Sequence, residues 1–473
     1  MAPGVRRRTL LAAGLSSAGW ASSLPAAIHA SPTFLVENIT RLYPVRVTQV
    51  ARPASTDETQ RVVAAWPGQV AVGGGRYSMG GQIAIEGGLH IDMRAMNALV
   101  WIKPRELAVR VQAGMRWRDL QDLLDPLGLA VRTMQSYSNF TVGGSVSVNA
   151  HGRYVGHGPV SRSVRAVQIV LASGEVIEAS RERNARLFNA ALGGYGGLGV
   201  ITEVELRLDR NSRIERSTAR VRLADYAGYF RRKVESGGSC LLHNADLLPP
   251  RFDQAMVVNW SITDKPVTIS DRLVPRGRAY TMDQYAIRAV TELPGGAGLQ
   301  SNVIRPALLG KPAVVWRNYE ASLDVGSLEP KSRVSSTYVL QEYFVPVRHF
   351  ASFAARMAQT IRRHDALVLN VSVRHSPADV DVVMAWAREE VFSFVVYFKQ
   401  KVDRQAIEQV QLWTREMIAV ALAHEGSYYL PYQRHATQAQ FDAAYPQKEL
   451  FKQIKAEFDP SGRMSNELWK QYL

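Results

Sequence analysis

Residues 73–81 read GGGRYSMGG and directly follow the apolar run Gln-Val-Ala-Val at residues 69–72. Glycine has no Cβ, so such a loop can turn tightly and bring several backbone N–H groups against phosphate oxygens. Alone the loop is not specific, because glycine clusters after strands are often simple turns. It also lacks the spacing of a dinucleotide-binding fingerprint and the Lys-Ser/Thr pair of a P-loop.

The residues before this loop predict a strand–helix–strand unit. Residues 45–50 are an apolar run, and a Pro-Ala-Ser-Thr turn with acidic residues follows it. Ser55 or Thr56 can accept a hydrogen bond from a free amide at the start of a helix, and Glu58 meets the positive end of the helix dipole. The second strand, residues 69–72, then enters the glycine loop, which makes a βαβ unit.

Two further glycine loops follow at large spacing. Residues 107–112 alternate like a strand and residues 117–124 are spaced like a helix, before SYSNFTVGGS at 136–145 and NAHG at 149–152. The third loop, GGYGGLGVI at 193–201, leads into an alternating run at 202–208. Three glycine loops joined by strands can surround one extended cofactor.

Together the loops VGGGRYSMGG (72–81), TVGGSVSVNAHG (141–152) and GGYGGLGVITEVEL (193–206) resemble the FAD-binding module of the vanillyl-alcohol oxidase superfamily. The match covers most of residues 40–212. The segments YP at 445–446 and FDPSGRMSN at 458–466 are similar to the ending of sugar-lactone oxidases, alditol oxidases and decaprenylphosphoryl-ribose oxidase.

This resemblance implies an α+β fold: a two-domain PCMH-type FAD-binding fold with an antiparallel-sheet substrate (cap) domain. The composition changes to longer strand-like runs and amphipathic helices after about residue 212. We therefore expect an FAD-binding domain at 40–212, a cap domain at 213–440 and a C-terminal segment at 441–473 that returns to the FAD domain.

The resemblance also implies which residues hold FAD. Arg76 stands where many covalent members carry the histidine that bonds to the flavin ring, and arginine cannot make that bond, so we expect FAD to be non-covalent. A guanidinium beside glycines is suited to a phosphate. His151 is as readily interpreted as a structural histidine as a site residue. The expected FAD contacts are Gly73, Gly74, Gly75, Arg76, Tyr77, Ser78, Met79, Ser136, Thr141, Gly143, Gly144, Ser147, Asn149, His151, Gly152, Gly194, Gly197, Gly199, Val200, Ile201 and Asn466.

Oxidation of an alcohol by a flavin needs a group that removes the hydroxyl proton while hydride passes to N5 of the flavin. Sugar oxidases of the superfamily place a lysine near the flavin where this chain has Tyr432. Tyr432 could serve if Arg434 or Arg374 lowered its pKa. His435 is the competing base.

Two more patches are expected to face the flavin. Ser372 stands where alditol oxidases have an acid, and Arg374 keeps the arginine of that motif. Arg374 either orients a substrate oxygen or steadies reduced flavin, or it is an ordinary rim arginine. Gln341 and Tyr343 share one face of a strand by period two, either as pocket lining or as the alternation of a half-solvated strand.

We therefore expect an FAD-dependent oxidoreductase that oxidises a CH–OH group of a sugar, sugar lactone or polyol. Oxygen or a membrane electron carrier would reoxidise the flavin. Two alternatives stay open: a reductase of the UDP-N-acetylenolpyruvylglucosamine reductase type, and a non-catalytic exported flavin-binding protein, since the family lysine and acid are missing.

Composition limits the other function classes. The chain has 473 residues, of which 46% are hydrophobic and 21% charged, which is typical of a globular protein and excludes disorder as the main state. The single cysteine, Cys240, excludes an intramolecular disulfide and any all-cysteine metal site. The ten histidines show no metal-binding spacing, so we expect no metal.

Residues 1–30 have the layout of an export signal. Three arginines at positions 6–8 precede Thr-Leu-Leu and a small-residue apolar stretch without acidic residues, which is typical of a twin-arginine signal peptide and predicts a periplasmic protein. Without those arginines, +12 of the formal charge of +15 remains. The basic residues are scattered, so we expect no nucleic-acid partner, whereas the charge would suit a membrane surface.

Overall fold

The computed structural model of the chain describes residues 33–292, 295–330 and 332–473. The predicted signal peptide at residues 1–30 lies outside the described residues. No helix in these described ranges is long and apolar enough to cross a membrane.

The N-terminal part of the described chain alternates short strands with four helices up to residue 210. Its strands are β1 (Phe34–Val36), β2 (Val45–Val47), β3 (Gln49–Ala51), β4 (Val70–Gly73), β5 (Leu89–Asp92), β6 (Leu99–Lys103), β7 (Ala108–Gln112), β8 (Leu129–Val131), β9 (Val164–Leu171), β10 (Val176–Ser180) and β11 (Gly199–Arg210). Its helices are α1 (Thr56–Ala65), α2 (Trp117–Leu124), α3 (Val142–Ser147) and α4 (Ala185–Ala191).

The predicted strand–helix–strand unit is present. Ser55 caps α1, because its side chain accepts a hydrogen bond from the Glu58 backbone N–H at 3.2 Å. Strands β3 and β4 both pair in parallel with β5, which lies between them in a three-stranded sheet of order β3-β5-β4. This sheet carries the first glycine loop at the end of β4.

A second, antiparallel sheet carries the other two glycine loops. Its order is β10-β9-β11-β7-β6, with β8 paired to β11, while β1 and β2 form a separate pair. The run predicted as a strand at 107–112 is β7, the run at 202–208 lies within β11, and the helix predicted at 117–124 is α2. In α2 the residues Trp117, Leu120, Gln121 and Leu124 are buried, which is the i, i+3, i+4, i+7 spacing of a helix face against a core.

From residue 213 the chain forms a larger antiparallel sheet with helices. Its strands are β12 (Arg213–Arg222), β13 (Cys240–Leu247), β14 (Gln254–Ile262), β15 (Val314–Trp316), β16 (Ser336–Pro346), β17 (Val368–Ser376), β18 (Val391–Lys401) and β19 (Ser427–Tyr428). Its helices are α5 (Leu223–Tyr229), α6 (Thr281–Glu292), α7 (Gly296–Leu299), α8 (Arg305–Leu309), α9 (Arg317–Ala321), α10 (Phe350–Arg363) and α11 (Arg404–Ala423). The strand order is β15-β12-β14-β13-β17-β18-β16-β19.

The two faces of this cap sheet have different partners. On one face Tyr343 of β16 packs against Phe353 of α10, with ring centroids 6.1 Å apart. Side chains alternate along a strand, so Glu342 points to the opposite face, which also carries Arg374 of β17. That second face looks onto the glycine loops.

The C-terminal residues form α12 (Gln438–Ala444), α13 (Lys448–Phe458) and α14 (Trp469–Tyr472). Between α13 and α14 the chain runs beside β4: the Val70 N–H donates to the Arg463 carbonyl at 2.7 Å, and the Ser465 N–H donates to the Val70 carbonyl at 3.0 Å. The end of the chain therefore contributes to the sheet that carries the first glycine loop. The predicted α+β class with an antiparallel cap sheet is confirmed.

Candidate functional site

A cleft lies between the glycine loops and the cap sheet, and we call it the central cleft. All three glycine loops contribute to one wall, although they are far apart in the sequence. The predicted FAD contacts that line it are Gly74, Gly75, Arg76, Tyr77, Ser78, Thr141, Gly143, Gly144, Ser147, His151, Gly199 and Ile201.

The first loop presents unused backbone donors. In the described chain, no residue accepts a hydrogen bond from the backbone N–H groups of residues 75–78. A Cβ on Gly74 would lie 2.2 Å from Oγ1 of Thr141, so only glycine allows the first and second loops to approach this closely. Consecutive free amides in a turn form an anion-binding concavity, as the sequence predicted for this loop.

Arg76 faces the central cleft but already has a carboxylate partner. Its Nη2 lies 3.1 Å from Oδ2 of Asp92 and 3.3 Å from Nε2 of His90. Burial would raise the pKa of Asp92, but Arg94 and Arg76 outweigh it and lower that pKa. Burial and Arg76 lower the pKa of His90 to about 4. Arg76 is thus a paired cation at the cleft, with its buried Nε unpartnered within the described residues.

The second loop is held by a helix cap and by close packing. Oγ1 of Thr141 accepts a hydrogen bond from the Gly144 N–H at 3.3 Å and so caps α3. A Cβ on Gly143 would lie 2.6 Å from Cβ of Ala113, so this glycine lets α3 rest on the turn after β7. The first turn of α3 therefore forms part of the cleft wall.

The third loop lines the cleft with one predicted glycine, Gly199, and with a second that was not predicted. Gly196, with φ of +72°, lines the cleft, whereas Gly194 and Gly197 do not. A Cβ on Gly197 would lie 2.5 Å from Nε1 of Trp469, so this glycine makes room for α14. Asn466 also acts from behind the wall, since its Nδ2 donates to the Tyr195 carbonyl at 2.7 Å.

Several other predicted FAD contacts make contacts inside the protein instead. The Asn149 side chain is fully buried; its Nδ2 donates to Asp379 at 2.7 Å and its Oδ1 accepts from the Ser161 N–H at 3.2 Å. The Met79 sulfur accepts from the Leu340 N–H at 3.2 Å. The predicted FAD contacts outside the central cleft are Gly73, Met79, Ser136, Asn149, Gly152, Gly194, Gly197, Val200 and Asn466.

Three side chains form a hydrogen-bonded group that joins the cap side of the cleft to the second glycine loop. Oε1 of Glu342 lies 2.6 Å from Nε2 of His151, and the Tyr432 hydroxyl donates to Oε2 of Glu342 at 3.3 Å. Glu342 is 1% exposed and His151 is 5% exposed. His151 is therefore a partner of a buried carboxylate at the site.

The pKa values of Glu342 and Tyr432 in this hydrogen-bonded group decide which of the two could act as a base. Burial alone would raise the pKa of Glu342, but His151 and Arg374 outweigh it and lower that pKa. Burial and Glu342 raise the pKa of Tyr432 well above its usual range, more than Arg374 lowers it. The condition under which Tyr432 could serve as the base, a pKa lowered by Arg434 or Arg374, is therefore not met, because the phenol is buried against a carboxylate.

Arg374 lines the cleft rather than the rim. Within the described residues its guanidinium has no salt bridge, and its Nε is buried without a hydrogen-bond partner. Burial lowers its pKa. Such an arginine is suited to a ligand oxygen in the cleft.

Arg434 and His435, both predicted near the reacting atoms, lie elsewhere. Nε of Arg434 donates to the Gly80 carbonyl at 2.6 Å, and His435 lies between the Tyr43 and Thr414 hydroxyls at 3.0 and 2.7 Å. Neither residue lines the cleft. Tyr432 lies after β19 in a segment without regular secondary structure, where its hydroxyl meets Glu342 while Arg434 and His435 bond to other parts of the protein.

Gln341 and Tyr343 do share one strand face, as predicted, but it is the face covered by helices. Both are fully buried, and Tyr343 packs on α10. Their prediction as cleft residues is wrong, because the residue between them, Glu342, points to the cleft. Sequence reasoning missed Glu342, although an acid inside an otherwise apolar strand was a signal that could have found it.

One cluster of metal-ligand types lies outside the cleft. Glu235, His375 and Glu390 bring ligand atoms within 4.8 Å of one another. Arg231 already pairs with Glu235 at 2.7 Å and with Glu390 at 2.5 Å. Because a guanidinium balances the carboxylates, the cluster is complete as an ionic network. The expectation of no metal stays a prediction.

Residues 47–180 match the family model described as FAD binding domain. The chain is 32% identical to L-gulonolactone oxidase of Bos taurus over 183 residues, which are 38% of this chain and 41% of that protein. It is 32% identical to D-arabinono-1,4-lactone oxidase of Yarrowia lipolytica over 172 residues, 33% of this chain and 31% of that protein.

Alditol oxidase of Streptomyces sp. is also 32% identical, over 165 residues that cover 34% of this chain and 39% of that protein. The matched segments thus span less than half the length of each of these relatives. The comparisons confirm the predicted resemblance to PCMH-type FAD oxidoreductases of the sugar-lactone oxidase type, and FAD as the cofactor.

Proposed function

We propose that this chain, whose residues 47–180 form an FAD-binding domain, is an FAD-dependent oxidoreductase that oxidises a CH–OH group of a sugar, sugar lactone or polyol. The carrying observation is that a carboxylate and a guanidinium, Glu342 and Arg374, line the cap-side wall opposite the glycine loops, where Glu342 meets His151 of the second loop. A carboxylate can accept the hydroxyl proton, and a guanidinium can hold a substrate oxygen.

The residues of the central cleft fit FAD. The free amides of residues 75–78 and the Cβ-free surfaces of Gly75, Gly144 and Gly196 suit a phosphate-bearing, extended cofactor. When bound, FAD supplies a hydride acceptor. The chain's own groups would bind the cofactor, orient the alcohol and take its proton.

We also propose that FAD is held without a covalent bond. Arg76 cannot supply such a bond, and its guanidinium is paired with Asp92. Precipitation of the purified protein with acid should release yellow flavin into the supernatant. Flavin that stays in the pellet would contradict this proposal and point to a covalent bond at another residue.

The names of the three relatives described above favour oxidation of a sugar-related substrate over the other two functions considered. L-gulonolactone oxidase, D-arabinono-1,4-lactone oxidase and alditol oxidase are oxidases of sugar-related compounds, not nicotinamide-dependent reductases. Oxygen or a membrane carrier would be the electron acceptor of this chain. None of the side chains described at the cleft specifically supports a reductase or a non-catalytic flavin protein.

The test is anaerobic mixing of the flavin-loaded protein with a panel of sugar lactones, sugars and polyols. Bleaching of the visible flavin absorbance by at least one alcohol, and its return on admitting air or adding a quinone, is the expected result. Reduction by NADPH but by no alcohol would establish the reductase function instead. Bound flavin that is reduced neither by an alcohol nor by NADPH would favour the non-catalytic flavin-binding protein.

We further propose that the chain is exported by the twin-arginine route and associates with the membrane surface. The support is the paired arginines before Thr-Leu-Leu and the basic charge that remains without them. Replacing Arg7 and Arg8 together by lysine should retain the protein in the cytoplasm, with the wild-type chain as control. Equal periplasmic amounts of both would contradict export by this route.

A further inference from the structure

A cross-strand row of the cap sheet places Glu342 on the face that holds the substrate motif. Glu342 of β16 pairs with Val395 of β18, which pairs with Ser372 of β17, which pairs with Asp246 of β13. Directly opposed residues of antiparallel strands point their side chains to the same face. Ser372 stands where alditol oxidases have an acid. Glu342 therefore provides a carboxylate in the same cross-strand row as this position.

The carboxylate of Glu342 is held in one orientation. Nδ1 of His151 lies 3.4 Å from the Gly152 carbonyl, so this nitrogen faces an acceptor while Nε2 meets Oε1 of Glu342 at 2.6 Å. The imidazole ring lies 4.9 Å from the Trp386 ring and 5.7 Å from the Phe344 ring. This stacked ring pair packs against the imidazole, and the bond of Nε2 to Oε1 leaves Oε2 of Glu342 to accept from the Tyr432 hydroxyl at 3.3 Å.

The other titratable groups of the cleft are poorly suited to accept a proton. Burial raises the pKa of all four tyrosines that line it, so their phenols stay protonated; they are Tyr77, Tyr195, Tyr429 and Tyr432. The arginines are permanently cationic. Nε2 of His151 is occupied by Glu342. Among the described residues that line the cleft, Glu342 is the only carboxylate.

We propose that Glu342 is the catalytic residue that takes the hydroxyl proton of the substrate, and that His151 is its positioning residue. This inference rests on the function proposed above. The O–H bond breaks and its proton passes to Oε2 of Glu342; the C–H bond breaks and its electron pair leaves as hydride to FAD; the carbon–oxygen double bond forms. The substrate hydroxyl takes the place that the Tyr432 hydroxyl holds, at 3.3 Å, on Oε2.

The neighbours of Glu342 make this proton transfer feasible. Arg374 and His151 stabilise the carboxylate before the reaction, and the Arg374 guanidinium can also hold the oxygen that loses its proton. With Glu342 as the base, this chain does not need the lysine that sugar oxidases of the superfamily have at the position of Tyr432. The titratable or charged groups that face Glu342 are His151, Tyr195, Arg374, Tyr429, Tyr432 and Tyr445.

The test compares Glu342→Gln with wild type in the purified, FAD-loaded full chain, with L-gulono-1,4-lactone and D-sorbitol as probes. The amide keeps the size of the side chain but cannot take the proton, so flavin reduction should slow by on the order of 100-fold or more. Binding of the lactone, seen as a shift of the flavin spectrum before reduction, should change much less. Flavin content and melting temperature show that the variant is folded.

Glu203→Gln is the matched control, since Glu203 pairs with Arg110 on the second sheet and does not line the cleft. It should reduce flavin at the wild-type rate. Glu342→Asp is the second variant: it keeps a carboxylate, so it should retain part of the rate and the decline of that rate at acid pH. That decline should vanish in Glu342→Gln, because a carboxylate base works only above its pKa.

Two failures can be told apart. Wild-type flavin that is reduced normally, with Glu342→Gln reduced within tenfold of that rate or still showing the acid decline, would overturn the role of Glu342 alone. Wild-type flavin that no alcohol reduces would overturn the proposed function and this assignment with it.

Discussion

His435 shows at the scale of one residue how burial decides what a titratable group does. The Thr414 hydroxyl donates to the Val410 carbonyl at 2.7 Å, so the His435 Nδ1–H donates to Thr414 and Nε2 accepts from the Tyr43 hydroxyl. The ring is thus neutral in the folded protein. Burial, with Arg415 and Arg434, lowers its pKa to about 3. It is a structural histidine, although its sequence position beside Tyr432 predicted a base.

A pH-dependent loss of stability follows. Below about pH 6.5 His435 is protonated in the unfolded chain, whereas in the folded chain it stays neutral down to about pH 3. The contribution of His435 to the unfolding free energy is therefore complete above about pH 6.5 and is lost as the pH is lowered. Between pH 7 and 5, wild type should lose about 2 kcal/mol more unfolding free energy than His435→Gln. Urea denaturation at each pH measures this, and parallel pH profiles for the two proteins would refute it.

At the scale of an element, β16 has one face toward the cleft and one toward the helices. Glu342 and Phe344 project to the cleft side, where Phe344 stacks on Trp386 at 4.1 Å between ring centroids. Gln341 and Tyr343 project under the helices; within the described residues, neither the Gln341 amide nor the Tyr343 hydroxyl has a hydrogen-bond partner. The polar side-chain atoms of β16 that lack hydrogen-bond partners therefore lie on the face covered by helices, away from the cleft.

Tyr343→Phe should consequently raise the unfolding free energy by about 1 kcal/mol, because it removes a buried hydroxyl that is not hydrogen-bonded. Flavin reduction by substrate should be unchanged. In the control Tyr472→Phe, a buried hydroxyl that donates to the Ala436 carbonyl at 3.0 Å is lost, and stability should fall by about 1 kcal/mol. Chemical denaturation of both decides the matter; a destabilised, inactive Tyr343→Phe would restore Tyr343 to the site.

At the scale of the whole molecule, Arg463 joins the end of the chain to its beginning. Its guanidinium donates to the Val63 carbonyl at 2.6 Å, the Ala172 carbonyl at 2.7 Å, the Gly68 carbonyl at 3.3 Å and the Trp66 carbonyl. These carbonyls lie in and after α1 and in the turn between β9 and β10. One side chain thus links both N-terminal sheets to the C-terminal segment.

Arg463→Ala should lower the unfolding free energy by about 3 kcal/mol, because several carbonyls lose a charged donor at once. FAD should also be retained less well, since the neighbouring residues run beside β4 and its glycine loop. Arg404→Ala is the matched control: that side chain is 93% exposed and pairs with Glu408 along the helix, so its loss should leave the free energy of unfolding nearly unchanged. Equal denaturation midpoints for the two variants would disprove the link.

The FAD-binding wall could be predicted because its determinants are local. A glycine loop needs its residues to be adjacent, and the strands and helices around it follow the alternation and spacing of short windows, as at β7, α2 and β11. Even so, adjacency did not tell which glycine faces the cofactor. Gly196 lines the cleft while Gly197 accommodates Trp469, a residue far away in the sequence.

The α+β class and the FAD-binding module with its three glycine loops could thus be predicted from the amino-acid pattern. The acid–base group of the cleft could not be predicted in this way, because its members meet across long separations in the sequence: His151 of the second glycine loop lies 191 residues from Glu342, and Tyr432 lies 90 residues from it. Strand pairing chose which side of β16 faces the cleft. Burial then raised the pKa of Tyr432 and paired Glu342 with His151, and no pattern of neighbouring residues encodes those two outcomes.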